Sequence, residues 1–350
     1  MNITYRTRRR LQTIGTIALF VVMLIVIGWF CWVVWLERYI VYTRDGATID
    51  FSVPQDILSG EVAVPPEPGQ GPEIHYNEGE NAISTSTDLT QLNGYYITAD
   101  MLKNDLEGVQ KRVATLPTGT AVMIELKAGY GSFYYSSQLE GAVTSSSVDV
   151  VAVDQLIQEM KAKNLYLIAE IPAFRDYTYG LNNHANNVGI TYTGGGGALW
   201  ADDGGCYWLK PTHSGVLGYV TSVILELRGM GFKEVVLRDF EVPNGKKVIY
   251  EGDEQADLAE AAGKLLTACT ASNFTLSFIV ESAEFALPEG RARMYMQNVS
   301  AKDVERYGSQ VAFEAPQLHL VFLADTKDTR YDTYGVLRSL DLIDLETEEE

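Results

Sequence analysis

The stretch from Gly94 to about Ile343 predicts an α/β fold, a (β/α)8 TIM-like barrel that is irregular in its second half. Three observations carry this. Eight apolar runs have strand length: "GYYITA", "TAVMIEL", "LYLIAEIPAF", "EVVLRDFEV", "FTLSFIVE", "RMYMQNV", "QVAFEA" and "LHLVFLAD". Helical patterns at Asp100–Thr115, Ser147–Lys163, Ser214–Met230, Asp253–Ala271 and Thr329–Leu340 each follow a strand, and alternation of this kind builds right-handed βαβ units and a parallel sheet. Eight strands in about 250 residues is the count and length of a closed barrel. The irregularity is expected between "FTLSFIVE" and "LHLVFLAD", where the connections are short. An open doubly wound sheet is the alternative, but no Gly-rich phosphate loop follows any strand. "TGGGGA", at positions 193–198, lacks the flanking strand and helix and reads as a loop.

The elements before the barrel follow in order. Arg6, Arg8, Arg9 and Arg10 crowd residues 1–12, read as a cytoplasmic basic tail. Within residues 13–36 the run from Ile14 to Leu36 carries no charge. At about 1.5 Å per residue it spans roughly 34 Å as a helix, enough to cross a bilayer. Trp29, Trp32 and Trp35 fall toward its outer end, where an interfacial belt would sit. The run is too long for the core of a cleaved signal peptide, and no small-residue cleavage site follows. The reading is a single-pass anchor, N-terminus in the cytoplasm, remainder outside. Residues 37–53 hold two alternating runs around Asp45-Gly46, a β-hairpin signal. Residues 54–93, with "VPPEPGQGPE", have too little apolar content to pack and read as a linker. As a coil they reach roughly 35 Å. Residues 344–350 form an acidic tail.

Composition excludes some functions. A net charge of −19 over 350 residues argues against nucleic acid, whose phosphates need clustered Lys and Arg. Cys31, Cys206 and Cys269 match no metal spacing, and a Cys206–Cys269 disulfide has nothing in the sequence to support it. His75, His184, His213 and His319 are scattered, so no metal and no cofactor is expected.

Charge collects at the strand ends, where a parallel barrel assembles its site. In order these are Glu125 and Lys127, Glu170, then Arg238, Asp239 and Glu241, then Glu281, Glu314 and Asp325. Period-two alternation puts Glu125 with Lys127 on one face, and Asp239 with Glu241 on one face, Arg238 opposite. Two carboxylates flanking a glycosidic bond supply its hydrolysis, one protonated as acid and the other ionised as nucleophile or base. Crowding drives their proton affinities apart. The competing reading is a salt-bridged rim in which Lys127 and Arg238 neutralise the acids without chemistry. Tyr130, Phe133, Tyr134 and Tyr135 after the second strand, and Trp200, Tyr207 and Trp208 after the third, offer faces for sugar rings or pack under the loops.

Four blocks in order resemble a bacterial family of glycoside-hydrolase-type TIM-barrel domains, often attached to an export signal or membrane anchor. "GYYITADM" resembles the family's opening strand. "AVMIELKAGYGSFYY" resembles its strand ending in Asp-x-Lys-Asp-x-x-Gly before a Tyr-containing hairpin. "LYLIAEIPAFRD" resembles Tyr-x-Ile-Ala-Arg-Ile-x-x-Phe-x-Asp. "WADDGGCYWLKPTHSGVLGYVTSVILELRGMGFKEVVLRDFEVP" resembles its Trp-containing loop, helix and Phe-Asp-Tyr-x-Arg-Phe-Pro strand. The resemblance implies a glycan-directed barrel and brings in Phe174 and Asp176. Departures accompany it. Ala128 stands where the family has its second Asp, Glu170 replaces an Arg, and Lys210 an Asp. Arg238 and Glu241 trade signs with the family pattern, and Asp239 falls where an aromatic is expected.

Two functions stay open on these grounds. One is an anchored extracytoplasmic hydrolase of a cell-envelope or extracellular polysaccharide. Glu125, Glu241, Glu170 and Asp239 are its candidate catalytic residues, with acid and base unassigned. Lys127, Tyr130, Phe174, Asp176, Trp200, Trp208 and Arg238 are its candidate substrate-binding residues. The other is a catalytically inactive relative that binds glycan or scaffolds envelope proteins.

Overall fold

The computed structural model describes residues 89–192, 197–245, 247–271, 273–283 and 285–344, the strands Ile40–Thr43 and Gly46–Ile49, and the single positions Met23 and Trp29. The chain divides into two units, Met1–Pro65 and Pro66–Glu350. In the first, β1 (Ile40–Thr43) pairs antiparallel with β2 (Gly46–Ile49), Thr43 opposite Gly46. The apolar run expected to span a membrane, the acidic tail after Asp344 and most of the expected linker lie outside the described residues. Among the described residues no helix is long and apolar enough to cross a membrane.

The second unit runs through β3 (Asn93–Ile97), β4 (Ala121–Glu125), the short β5 (Ser132–Phe133) and β6 (Val143–Thr144), β7 (Tyr166–Pro172), β8 (Thr191–Tyr192) and β9 (Glu234–Arg238). It continues through β10 (Val248–Ile249), β11 (Thr275–Ile279), β12 (Met294–Met296), β13 (Leu320–Ala324) and β14 (Gly335–Ser339). Strands β3, β4, β7, β9, β11, β12, β13 and β14 close into one parallel barrel in chain order. The helices begin where the sequence provides caps. Asp105, Asp149 and Asp253 accept backbone N–H groups at the starts of Leu106–Thr115, Val150–Ala162 and Glu254–Cys269. Asp105 also divides the expected helix 100–115 in two. The helix Ser214–Met230 stops at Gly231, whose φ of 107° suits a left-handed cap.

Two expected elements are corrected. "QVAFEA" is not a strand. The helix Val304–Gln310 ends there and Pro316 opens a single helical turn, Pro316–His319, so the seventh strand is "LVFLA". The expected helix Thr329–Leu340 holds the eighth strand, "GVLRS". Closure demands it, since β13 and β3 each need a partner. Gly335 fits because a Cβ there would lie 2.9 Å from the Val321 side chain and 3.0 Å from the Leu320 carbonyl oxygen.

Alternation sorts the strand residues into two cores. Leu92, Ala121, Met123, Ile168, Val236, Ile279, Tyr295, Val321 and Leu337 fill the barrel interior, and a larger layer packs sheet against helices. The interior is floored at the N-terminal end by buried Glu234, ion-paired with Arg293. Glu234 also accepts from Ser277 Oγ (2.6 Å), Tyr295 Oη (2.9 Å) and Tyr166 Oη (3.1 Å). With its lone pairs filled, this charge is compensated where it lies, and the other end of the barrel is left to carry the site.

Candidate active site

Glu125 and Glu170 are register partners on adjacent parallel strands, both pointing into the C-terminal mouth. Two like charges so placed repel. Arg238, at the end of the next strand, reaches across to both. Its Nη2 lies 3.1 Å from Glu125 Oε1 and its Nε 2.9 Å from Glu170 Oε1, while Nη1 is 3.7 Å from Asp239 Oδ2. None of the four side chains is more than 20% exposed. Burial works against the guanidinium's charge, but Asp239, Glu125 and Glu170 outweigh it and raise its proton affinity above the usual value. The second oxygen of Glu125 accepts the Ala99 N–H at 2.9 Å.

The expected orientation of Arg238 is thereby corrected. Alternation placed it opposite Asp239 and Glu241, yet it meets Asp239 as well as Glu125 and Glu170. Arg238 keeps the regular alternation of β9, on the inward face with Val236 and hence with Glu125 and Glu170; the break comes after it, where Asp239 has φ 53°, in the left-handed region. The turn brings Asp239 back toward the guanidinium and carries Glu241 beyond it.

Glu241 has a different environment. Burial first, then the charges of Glu281, Asp239 and Glu254, push its carboxyl up to about 7. Asp239 Oδ2 is buried and makes no hydrogen bond. At the other edge Tyr96 Oη donates to Asp325. Glu314, expected in the ring, is exposed in the connection before β13 and so belongs to the opposite end of the barrel.

A family model described as "Putative glycosyl hydrolase domain" matches residues 94–271. The chain belongs to that family. The match takes in the first four barrel strands, including every strand-end carboxylate from Glu125 to Glu241. No curated protein matches the sequence. Among solved structures, the chain is similar to a hypothetical protein from Ruminiclostridium thermocellum, at 18% identity and TM-score 0.44, over 53% of this chain and 96% of that one. It is also similar to the galactosidase domain of the α-galactosidase-sucrose kinase AgaSK, at 12% identity and TM-score 0.50, over 74% of this chain and 39% of that one. A third is the α-galactosidase from Lactobacillus brevis, at 8% identity and TM-score 0.49, again over 74% and 39%. The chain thus spans about four-tenths of the length of these two galactosidases. The likeness is one of fold.

Around the mouth of this glycosyl hydrolase domain, several expected substrate-binding residues turn out to be packed. Lys127 does not face Glu125. The strand has ended, Lys127 bridges to Phe133, and its Nζ donates to Asp176 Oδ2 at 2.5 Å, both side chains 1% exposed. Asp176 also accepts from Tyr219 Oη (3.0 Å) and the Tyr179 N–H (2.8 Å), so the pair clamps two loops together. Phe174 is fully buried against Phe240, ring centroids 4.8 Å apart. Trp200 and Trp208 are buried, and Trp208 Nε1 donates to Asp202, itself held by Arg175 at 2.6 Å. Cys206 and Cys269 are free and buried. Among the described residues no group of His, Cys, Asp or Glu is placed to hold a metal ion.

Tyr130, Tyr177 and Tyr207 are half-buried, Tyr177 lying 5.6 Å from Tyr130 and stacked 5.0 Å from Tyr207. Tyr177 escaped the sequence reading, and Tyr134 entered it only as an aromatic face rather than as a neighbour of the strand-end charges. Tyr134 lies in the loop after β4, where no periodicity gives its direction, yet its phenol comes within electrostatic reach of Glu125, Arg238 and Glu170. Tyr96 was legible: it lies two residues after Gly94, on the inward face of β3.

Proposed function

We propose that this chain is a membrane-anchored, extracytoplasmic glycoside hydrolase acting on a cell-envelope or extracellular polysaccharide, with Glu241 as general acid and Asp239 as nucleophile or base. The observation that carries the reading is the contrast between these neighbours. Glu241 is held near a proton affinity of 7 outside the ion pairs of Arg238, whereas Asp239 is a carboxylate beside that guanidinium with one buried oxygen unspent. A carboxyl raised in this way is a proton donor near neutrality, and a second carboxyl group beside a guanidinium is placed to serve as its partner. Family membership and the fold support a sugar polymer as the target. The long apolar run from Ile14 to Leu36, preceded by arginines, supports the anchor.

Glycan cleavage by the purified full-length protein tests this. Glu241→Gln should lower turnover by at least about a hundredfold, the usual contribution of a positioned proton donor, with the fold intact by thermal melting. Unchanged turnover in that variant would remove Glu241 from the mechanism.

One observation favours a second reading. Arg238 occupies the centre of the mouth and commits Glu125 and Glu170 to ion pairs. A barrel built this way binds glycan without cutting it. Binding across a polysaccharide panel with no cleavage of any member selects that reading.

A further inference from the structure

Building on the glycan-directed reading above, we propose that Tyr130, Tyr177 and Tyr207 form a rigid aromatic platform beside the barrel mouth, on which uncharged pyranose rings of a bound polysaccharide stack.

The first support is position. Tyr130 and Tyr177 lie on the loops that follow β4 and β7, at the end where a parallel barrel assembles its site. As the chain leaves β7, the Ala173 N–H donates to the Arg238 carbonyl (2.7 Å) and the Phe174 N–H to that of Asp239 (3.4 Å). The segment leading to Tyr177 therefore starts against the end of β9, and a polymer lying in the mouth has this surface at its side.

The second support is ring geometry. Tyr177 and Tyr207 stack at 10° with centroids 5.0 Å apart, and Tyr130 lies 5.6 Å from Tyr177 at 44°. Parallel rings in contact are about 3.5 Å apart. A 5.0 Å centroid separation is therefore an offset stack, in which neither ring covers the whole face of the other.

The third support is rigidity. The Tyr177 and Thr178 N–H groups donate to the Gly129 and Tyr130 carbonyls (3.1 and 3.2 Å), and the Asp176 N–H donates to the Tyr207 carbonyl (3.0 Å). Thr178 Oγ1 also donates to the Tyr130 carbonyl (2.6 Å), and Tyr130 Oη to that of Gly204 (2.7 Å). The buried Lys127–Asp176 pair joins the same two loops. Glycines make room for this packing. A Cβ on Gly129 would meet Arg175 Nη1 at 2.5 Å, one on Gly131 would meet Asp176 Oδ1 at 2.4 Å, and one on Gly180 would meet Tyr207 Cβ at 2.9 Å. Rings fixed beforehand lose little freedom when a ligand arrives.

The fourth support is charge. Arg175 pairs with Asp202 at 2.6 Å and Lys127 with Asp176, so the charges beside the rings cancel in pairs. Aromatic faces in such surroundings suit the apolar C–H face of a neutral sugar, and the phenols suit its hydroxyls. A uronate would bring a charge to a place whose neighbouring cations are already paired.

Titration calorimetry on the full-length protein tests the proposal with hexamers of glucose, N-acetylglucosamine and galacturonate, each beside its own disaccharide. At least one neutral hexamer should bind about tenfold or more tightly than its disaccharide, the scale of a well-placed aromatic contact, and galacturonate should show no such gain. Tyr177→Leu and Tyr207→Leu keep an apolar side chain but no ring, so each should lose most of the gain. Tyr177→Phe keeps the ring and should retain it, with melting temperatures confirming that all three variants fold. A gain that survives both leucine variants, that is absent from both neutral sugars, or that galacturonate shares overturns the proposal. Self-association in sedimentation that the leucine variants abolish would assign the rings to a second copy of the chain and overturns it too. Ring-dependent binding of a hexamer without cleavage upholds the platform and overturns the hydrolase. Cleavage of a hexamer with the gain unchanged in the leucine variants does the reverse.

Discussion

Arg238 decides the character of the mouth at the scale of single residues. Its guanidinium is the counter-charge that lets Glu125 and Glu170 stand side by side on β4 and β7. Truncation to Arg238→Met should therefore destabilise the fold by about 3 kcal/mol, since it leaves mostly buried like charges uncompensated. Adding Glu125→Gln and Glu170→Gln to that variant should recover most of the loss. Denaturant unfolding of the two proteins measures this, and equal midpoints would show that the ion pairs contribute nothing. That Glu125, Glu170, Asp239 and Glu241 end barrel strands was legible from apolar runs stopping at charge. Which of them face one another was not. A single left-handed residue, Asp239, breaks the period-two rule at the point where the rule was needed.

At the scale of elements, the first six barrel strands could be read because each apolar run is bounded by helical periodicity or turn residues. The last quarter misled. Thr329–Leu340 suits a helix locally, and only the demand of β13 and β3 for a partner makes part of it a strand. Information of that kind lives in closure of the sheet rather than in any window of sequence. Packing inside the closed sheet is correspondingly tight. Gly94 lies opposite Ala121, and a Cβ on it would come 1.9 Å from the Ala121 carbonyl oxygen. Gly94→Ala must push β3 away from β4, at a cost of about 1–3 kcal/mol by the usual penalty for overpacking. Thermal melting checks this, and a variant as stable as the parent would mean the strands part freely. The aromatic residues were misjudged for a related reason. The sequence places Trp200 and Trp208 in a loop and the resemblance brings in Phe174, but all three are buried.

At the scale of the whole molecule, the barrel separates its two ends by how it treats charge. The floor, around Glu234 and Arg293, satisfies each charge with a buried partner; the mouth gathers carboxylates in excess of Arg238 and leaves the buried Asp239 Oδ2 without a hydrogen bond among the described residues. An N-terminal anchor with a linker over residues 54–93 would hold such a mouth outside the cell. Protease added to intact cells should then release a fragment containing the barrel while sparing cytoplasmic proteins. A barrel protected until the cells are lysed would reverse the topology.

The dependence of glycan cleavage on pH bears most directly on the central claim that the barrel mouth holds one carboxyl in its acid form. Glu241, pushed up to about 7, is protonated below that pH and ionised above it, so the rate should be sustained on the acid side and fall as pH rises through that value. Glu241→Gln should abolish that descending limb together with the activity. A rate that climbs through the same interval, or a descending limb that persists in Glu241→Gln, contradicts the account.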